Sequence, residues 1–465
     1  MPLTYACRIV INLILNDPAT ANDWLNKVAH LPASNRRLIQ LLKNYLSSWL
    51  ALITNEKIKA LHDQRQALNY AIELGMPFFE VLSRTAYAQL LFLCEDTRSG
   101  TAQLRRVHSI ARDVRNPLLE FMTLLVYGDV AMRGGKTTSG TNALRYALGL
   151  ARKHAYYHLF WWHPGDLGDV CATALRYDIE TDFVRDLIRR TNLQPRVTPL
   201  EIAEWPWPLQ IRAMGGLHIT INDHEIKSTG KSQAKPLQLC KALIALGGKG
   251  IRAQLVAQTL WPHVDEEYGI KSLTINLHRL RRLLGHDEAI LLQDGLLSIN
   301  DKLVWLDTWA LDLLYSKIER NQYQTGILSS DGELLEWFDR LLTYYKGPFL
   351  GAEEQPGCVT AARDFQRSRY VKAVEILVTD IAGRNNPDTL YALYERVIER
   401  DPGVEELYHR LMIRLYEQGD LTHAMDIYTR CVEALSRTQQ PIPSPKMQEL
   451  YEKLHDSIKL SRAGH

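Results

Sequence analysis

A repeat with a spacing of 40 residues is the feature of this sequence that most constrains its fold. The stretch SGTAQLRRVHSIAR at 99–112 aligns with SGTNALRYALGLAR at 139–152. A fainter copy, DQRQALNYAIELG at 63–75, keeps an arginine and an alanine in the same register. Because the apolar residues recur at helical spacing, the period predicts stacked helical hairpins that bury their faces against one another. Such a curved scaffold usually binds a partner rather than doing chemistry.

Length and composition indicate a globular protein of several domains. A chain of 465 residues is too long for one core and suggests about three domains. The net charge of +2 gives no general attraction to nucleic acid or membrane, so either partner would have to meet a local patch. The six cysteines form no CxxC pair, which is typical of reduced thiols, and the apolar run IVINLIL is too short to cross a bilayer. We expect a cytoplasmic protein with no membrane partner.

Two short motifs in the first 195 residues suggest chemistry and are better explained by structure. The segment GGKTTS at 134–139 resembles a phosphate-binding loop, but Val130 stands where that loop needs its first glycine and the preceding residues read as helix. His154 and His158 have a metal-compatible spacing, but no neighbouring carboxylate or cysteine completes a site. We expect a loop between repeat helices and a packed aromatic edge, with no metal, no cofactor and no catalytic set.

The hydrophobic period changes after a proline-rich segment. The segment QPRVTPLEIAEWPWPL at 194–209 holds four prolines, which predicts an extended connector over 196–208. Alternating apolar residues then indicate short antiparallel strands, with a turn candidate at Asn222-Asp223. Three helical stretches follow, and the last leads into AILLQDGLLSIN, a hairpin around Asp294-Gly295. Over 209–308 this order predicts a winged helix-turn-helix.

The third helix of this domain, GIKSLTINLHRLRRLLG at 269–285, carries the candidate site. Its core stripe is Leu273, Leu277, Leu280 and Leu284. The candidate DNA-binding residues on or beside the opposite face are Lys271, Thr274, Ile275, His278, Arg279, Arg281 and Arg282. From Tyr268 to His286 there are four Lys or Arg and no Asp or Glu, which suits a major groove lined by phosphates.

The individual roles follow from position along the helix. Lys271 and His278 are better placed for base edges, and the three arginines for phosphates. The wing tip carries Gln293 and Asp294 but no arginine, so we expect a weak contact there. Two alternatives stay open at this point: a basic face that is merely solvated, and a winged helix that binds a protein instead of DNA.

The remainder, 309–465, is predicted to be helical and contains a repeat of 34 residues. Leu390, Tyr394 and Val397 recur as Ala424, Tyr428 and Cys431. The stretch EELYHRLMIRLYEQGDLTHAMDIYTRCVEAL reads as a helix, a turn at Gly419-Asp420 and a second helix. That pattern is typical of one tetratricopeptide-like hairpin.

Several blocks give the chain a family resemblance. They are GKSQAKPLQLCKALIALGG, LVAQTLWP, SLTINLHRLRRLLG, LVWLDTWALDLL, YYKGPFLGAEEQPG, DPGVEELYHRLMIRLYEQGDLTHAMDIYTRC and PIPSPKMQELYEKL. Over about 205–455 the chain resembles SARP/AfsR-type bacterial regulators, which join an OmpR-like winged helix to a bacterial transcriptional activation domain. The resemblance implies an activator whose C-terminal domain contacts RNA polymerase or a second copy of the chain.

The first 195 residues are similar to the helical repeat region of MalT-like regulators. In those proteins an ATPase module precedes the repeats, whereas this sequence holds no full phosphate loop. Together these interpretations predict a mainly α protein, with tetratricopeptide-like repeats flanking a central winged helix-turn-helix. The predicted domains are 1–195, the connector 196–208, the winged helix 209–308 and the activation domain 309–465. We expect a DNA-binding transcription regulator, not an enzyme, whose N-terminal repeats receive a protein or small-molecule effector.

Overall fold

The computed structural model describes residues 2–30, 36–158, 161–226, 233–323, 331–351, 357–382, 387–437 and 442–463. Parts of three of the sequence blocks given above, at 230–232, 352–356 and 441, lie outside these ranges, as do the side chains of Arg112 and Leu390. The chain divides into two compact units, Met1–Pro206 and Trp207–His465, and their boundary falls within the predicted connector. Among the described residues, no helix combines the length and hydropathy needed to span a bilayer.

The first unit is built from helices, as the repeat predicts. They are α1 (Pro2–Ile14), α2 (Pro18–Ala29), α3 (Arg37–Ile53), α4 (Lys57–Glu73), α5 (Pro77–Leu93), α6 (Thr97–Val114), α7 (Pro117–Arg133), α8 (Thr137–His154), α9 (Pro164–Arg176) and α10 (Thr181–Thr191). Helices α3 to α8 pack as successive hairpins, and the second helices of these hairpins begin 40 residues apart, at Lys57, Thr97 and Thr137. The sequence period is therefore one helical hairpin.

Close packing explains the glycine that the two clearest copies of the repeat share. A Cβ atom added at Gly100 would lie 2.9 Å from the Phe92 ring, and one added at Gly140 would lie 2.7 Å from Met132 Cγ. The two helices of each hairpin thus approach at a position that leaves no room for a side chain. The alanine of the repeat is fully buried at Ala71 and Ala151 and half-buried at Ala111, so it also allows the helices to approach closely.

The proline-rich segment packs against the first unit instead of running free. The Arg196 side chain donates from Nε to Asp166 Oδ1 at 2.6 Å, and its backbone N–H donates to Asp169 Oδ1 at 3.0 Å. Further along, Ile202 and Trp205 are buried. The prolines stiffen the segment. Its apolar side chains are also buried, which the proline content alone does not predict.

The second unit contains a sheet that brings distant parts of the chain together. Its strands are β1 (Leu209–Arg212), β2 (His218–Ile221), β3 (His224–Glu225) and β7 (Val304–Leu306), in the order β3-β2-β1-β7. The predicted turn joins β2 to β3, with Asn222 and Asp223 both at positive φ. Strand β7 was not expected. It pairs parallel to β1, with Leu209 opposite Val304.

The elements between β3 and β7 follow the order predicted for a winged helix-turn-helix. They are α11 (Ala234–Ala245), β4 (Ile251–Arg252), α12 (Ala253–Leu260), α13 (Glu266–Leu284), a short 3₁₀ helix (Asp287–Ala289), β5 (Ile290–Gln293) and β6 (Leu296–Ile299). The hairpin β5–β6 turns at Asp294 and Gly295, both at positive φ, as the Asp-Gly pair predicts. Strand β4 completes a three-stranded sheet in the order β4-β6-β5.

A buried carboxylate, that of Asp307, lies directly after β7 and binds the backbone at the end of β1. Asp307 accepts hydrogen bonds from the backbone N–H groups of Ala213, at 2.8 and 2.9 Å, and of Met214, at 2.9 Å. Burial raises the pKa of Asp307 to about 6, and these backbone donors oppose that rise. Met214 also forms an antiparallel bridge with Phe349, and Gly215 N–H donates to the Pro348 carbonyl at 3.0 Å. The KGPFL block is therefore bound to the end of β1.

The remaining helices form the C-terminal part of the second unit. They are α14 (Asp307–Tyr323), α15 (Asp331–Tyr344), α16 (Gly357–Ala382), α17 (Pro387–Ile398), α18 (Glu405–Glu417), α19 (Leu421–Leu435) and α20 (Pro445–Ala463). Helices α18 and α19 form the predicted hairpin around Gly419, which has φ +78°. Asp401, which is buried, accepts from Tyr345 Oη at 2.9 Å and from Arg367 Nε at 3.0 Å. This contact joins two of the quoted blocks.

Candidate nucleic-acid interface

Helix α13 begins earlier than the sequence pattern suggests and ends where it predicts. Its first residues are Glu266 and Glu267, and it stops at Gly285, which adopts φ +71°. The leucine stripe faces the core as predicted, with Leu273 and Leu280 both buried. Asn276 is also buried, and its Nδ2 donates to the Ser272 carbonyl at 2.8 Å. The inner face thus includes one polar residue that periodicity does not reveal.

Six of the seven candidate site residues lie exposed on the outer side of α13. They are Lys271, Thr274, Ile275, His278, Arg279 and Arg282. Ile275 is 54% exposed although it is a large apolar residue. This face of α13 therefore combines cationic, polar and apolar side chains.

Arg281 is placed differently from the other arginines. It is half-buried, and its Nε and Nη2 donate to the Ile290 carbonyl at 2.9 and 2.7 Å. Ile290 is the first residue of the hairpin β5–β6, so this guanidinium fastens the wing to the helix. The sequence groups Arg281 with Arg279 and Arg282 as a phosphate ligand. The structure instead gives it an internal partner.

Arg279 and Arg282 together present the positive charge of the helix. Within the described part of the chain, neither guanidinium forms an ion pair or hydrogen bond. Both line an open groove of about 410 Å³ that is completed by Gln233 and Pro236, at the start of α11, and by Leu283. Two unneutralised guanidinium groups one helical turn apart can each meet an anionic oxygen.

The N-terminal turn of α13 is acidic, because it contains Glu266 and Glu267. Lys271 Nζ lies 2.7 Å from Glu267 Oε1, and both side chains are largely exposed. Carboxylates in the first turn are favoured by the helix dipole. Because Glu266 and Glu267 belong to the helix, its basic character is concentrated in the half that contains His278, Arg279 and Arg282.

The wing carries a cation that the sequence pattern did not reveal. Strand β4 lies beside β6, with Arg252 opposite Leu296, and Ala253 N–H donates to the Gly295 carbonyl at 2.9 Å. Arg252 is exposed, so it supplies a positive charge close to the turn at Asp294. The glycine-rich residues before Arg252 indicate a turn. Whether the two-residue strand β4 pairs with β6 depends on the fold and cannot be read from the sequence.

The two motifs in the first unit lie at the ends of helix α8. Residues 134–136 form the turn between α7 and α8, so a helix and not a strand precedes GGKTTS, as expected. His154 is the last residue of α8, so His158 does not share a helix face with it. His154 instead stacks on Tyr156. Among the described residues, no cluster of three His, Cys, Asp or Glu side chains could hold a metal ion.

Comparison with known proteins gives one family match. Residues 329–455, which are less than half of the chain, match the bacterial transcriptional activator domain. The second unit therefore contains a region of the type found in bacterial transcription regulators. The chain matches no curated protein.

Among solved structures, the chain is similar to Mycobacterium tuberculosis EmbR in complex with a low-affinity phosphopeptide. The sequence identity is 17% and the TM-score is 0.35. The match covers 54% of this chain and 66% of that one, which is just under two thirds of its length.

Proposed function

We propose that the chain is a sequence-specific DNA-binding transcription regulator that acts as an activator. The observation that supports this proposal is the pair Arg279 and Arg282, which are exposed on α13 and unneutralised among the described residues, in the segment that we assign as a winged helix-turn-helix. The activator-domain match at 329–455 supports the same assignment. On this account α13 lies in the major groove, and the regulator acts by binding, without a catalytic step.

The residues of α13 would divide their work by position. Arg279 and Arg282 would hold phosphates, and Lys271, Thr274, Ile275 and His278 would meet base edges, with Ile275 suited to a thymine methyl group. Arg252 adds a phosphate contact from the wing. Arg281 is left out of this set because its guanidinium binds the Ile290 carbonyl.

The flanking helices fit the other tasks of a regulator. We assign the winged helix to 209–308, of the OmpR-like type, and the activation domain to 309–465, which would contact RNA polymerase or a second copy of the chain. The MalT-like repeats of 1–195, followed by the segment 196–208, would receive a protein or small-molecule effector. These assignments follow the sequence resemblance together with the helical hairpins that the structure describes.

Salt dependence of DNA binding tests the proposal. The logarithm of the affinity for a mixed-sequence duplex should fall linearly with the logarithm of salt concentration. Changing Arg279→Ala and Arg282→Ala together should weaken binding and reduce that slope by about 2, since each phosphate contact contributes about 0.9. Fluorescence anisotropy of a labelled duplex gives both quantities.

A matched control distinguishes an effect of the α13 site from an effect of the overall charge of the chain. The double variant Arg105→Ala and Arg145→Ala removes the same charge from exposed positions on α6 and α8 and should leave the slope unchanged. The proposal fails if the two double variants behave alike. If instead the two double variants differ as expected, selection of bound fragments from genomic DNA would identify the operator.

A protein partner at the same surface is the second candidate function. It is favoured by large apolar side chains that are exposed on the winged helix, since Tyr268 is 64% exposed and Leu255 and Leu292 are each 42% exposed. If the winged helix binds a protein, duplex affinity will be low and insensitive to Arg279 and Arg282. Binding of that partner will change little between low and moderate salt.

A further inference from the structure

A cavity of about 380 Å³ lies within the second unit, where the last turn of α11 faces the first half of α16. Its walls are mainly apolar and include the rings of Trp309, Phe349 and Phe365. The volume falls in the range of small-molecule sites, which begins at about 300 Å³. Phe365 is 58% exposed, an unusual position for a phenylalanine, and it belongs to this lining.

Among the described residues, one polar atom of the lining, Gln366 Oε1, lacks a hydrogen-bond partner. Gln366 is only 8% exposed, and among the described residues nothing donates a hydrogen bond to its Oε1. The same side chain bonds to the Asp312 carboxylate, which accepts from the amide nitrogen. A buried acceptor without a donor is disfavoured, so an N–H or O–H group brought by a ligand would be favourable here.

Among the described residues of the lining, each ionisable group is either paired or neutral. The Asp312 carboxylate is paired with the Arg369 guanidinium, which also lies over the Tyr315 ring. Cys358, the thiol in the lining, is half-buried, and burial raises its pKa, so it stays protonated at neutral pH. A charged ligand would therefore lose its hydration without gaining a counter-ion.

We propose that this cavity binds an uncharged aromatic small molecule that donates one hydrogen bond to Gln366 Oε1. The inference does not rest on DNA binding, and it can be tested without DNA. The occupant would contact both α11, from the winged helix, and α16, from the helices that follow it. The occupant would therefore link α11 to α16. A regulator could respond to such a ligand through a change in the relative position of these two helices.

The test compares two probes that differ in one donor. The first is 2-naphthol, which is neutral and carries one O–H group, and the second is 2-methoxynaphthalene, which has no donor. Titration calorimetry on the full chain should show saturable binding of both at one site. The naphthol should bind more tightly by roughly two- to tenfold, the range expected for one hydrogen bond.

Three variants locate the site. Gln366→Leu should remove the preference for naphthol, leaving the two probes with equal affinity. Ala362→Phe fills the cavity and should weaken both probes at least about tenfold by excluding them. Thr360→Phe places the same ring on the exposed, opposite side of α16 and should leave both affinities unchanged. Circular dichroism checks that each variant is folded.

A second measurement needs no variant. Saturating 2-naphthol should slow the reaction of Cys358 with N-ethylmaleimide, read by mass spectrometry of its peptide. Cys7 and Cys94, which are exposed in the first unit, serve as internal controls and should react at the same rate with and without probe. Absence of saturable binding, a naphthol preference that survives Gln366→Leu, or an unprotected Cys358 would each overturn the proposal.

Discussion

At the scale of single residues, neighbouring arginines on α13 have different partners and should have different effects. Arg281→Ala removes two hydrogen bonds to the Ile290 carbonyl, so we expect the free energy of unfolding to fall by about 1–3 kcal/mol. Arg279→Ala, at an exposed position, should change it by no more than about 0.5 kcal/mol. Urea unfolding followed by circular dichroism measures both. Equal effects would contradict the role assigned to Arg281.

Asp307 gives the protein a pH dependence whose sign follows from burial. Its pKa is raised from 3.8 to about 6, so the native state keeps the proton where the unfolded state has released it. The contribution of this group to stability is therefore most favourable below about pH 4. It falls as the pH rises toward 6, by about 3 kcal/mol for a shift of about two pKa units.

The variant Asp307→Asn cannot titrate and should lack this fall. The unfolding free energy of the variant minus that of the wild type should thus increase by about 2–2.5 kcal/mol between pH 4 and pH 7. The variant will be less stable at pH 4, because its amide N–H₂ replaces one acceptor of the Ala213 and Met214 N–H groups. Asp301→Asn, an exposed change, controls for the general loss of a carboxylate. A difference that stays constant with pH would refute the assignment.

At the scale of elements, the approach of α8 to α7 depends on one glycine. A Cβ at Gly140 would lie 3.0 Å from the Met132 backbone nitrogen, so Gly140→Ala should destabilise the first unit by about 1–3 kcal/mol. Gly149, on the same helix, has only Glu180 Oε1 near the added atom, at 3.4 Å. Gly149→Ala should therefore stabilise the unit, by up to about 1 kcal/mol. Thermal unfolding should place the two variants on opposite sides of the wild type.

Elements whose identity depends on local sequence were predictable, and those that depend on distant partners were not. The repeat period predicted the helical hairpins, and Asp294-Gly295 predicted the β5–β6 hairpin. Strands β4 and β7 have two and three residues and exist because β6 and β1 lie beside them. No periodicity can be read from so few residues.

The candidate site divides in the same way. Helical spacing placed the leucine stripe inside and six of the seven candidate residues outside. It could not show that Arg281 finds the carbonyl of Ile290, nine residues away, or that Arg252 lies beside the wing. Both depend on how the hairpin returns to the helix. The acidic first turn was missed because the break after Pro262 concealed where α13 begins.

At the scale of the whole molecule, the two compact units should unfold separately. Asp401→Asn leaves the mostly buried Arg367 without its counter-ion, so it should destabilise the second unit by about 2–4 kcal/mol. Asp339→Asn breaks an exposed ion pair with Arg396 and should cost less than about 1 kcal/mol. Scanning calorimetry should resolve two transitions, of which Gly140→Ala lowers one and Asp401→Asn lowers the other. A single transition lowered by both changes would show that the units unfold together.

Because β1 pairs parallel with β7, the segment between them has its two ends close together, which bears on its transfer into another protein. Leu209, where the chain enters, lies opposite Val304, and Leu306, where it leaves, is two residues further along the same edge. Entry and exit are thus within about 10 Å of each other, given strands about 4.8 Å apart and a rise of about 3.3 Å per residue. A segment with adjoining ends can be excised, joined end to end or inserted into a surface loop of another protein with little distortion. Residues 209–307, with Asp307 kept to accept from the Ala213 and Met214 N–H groups, are therefore the segment to transplant as a cassette.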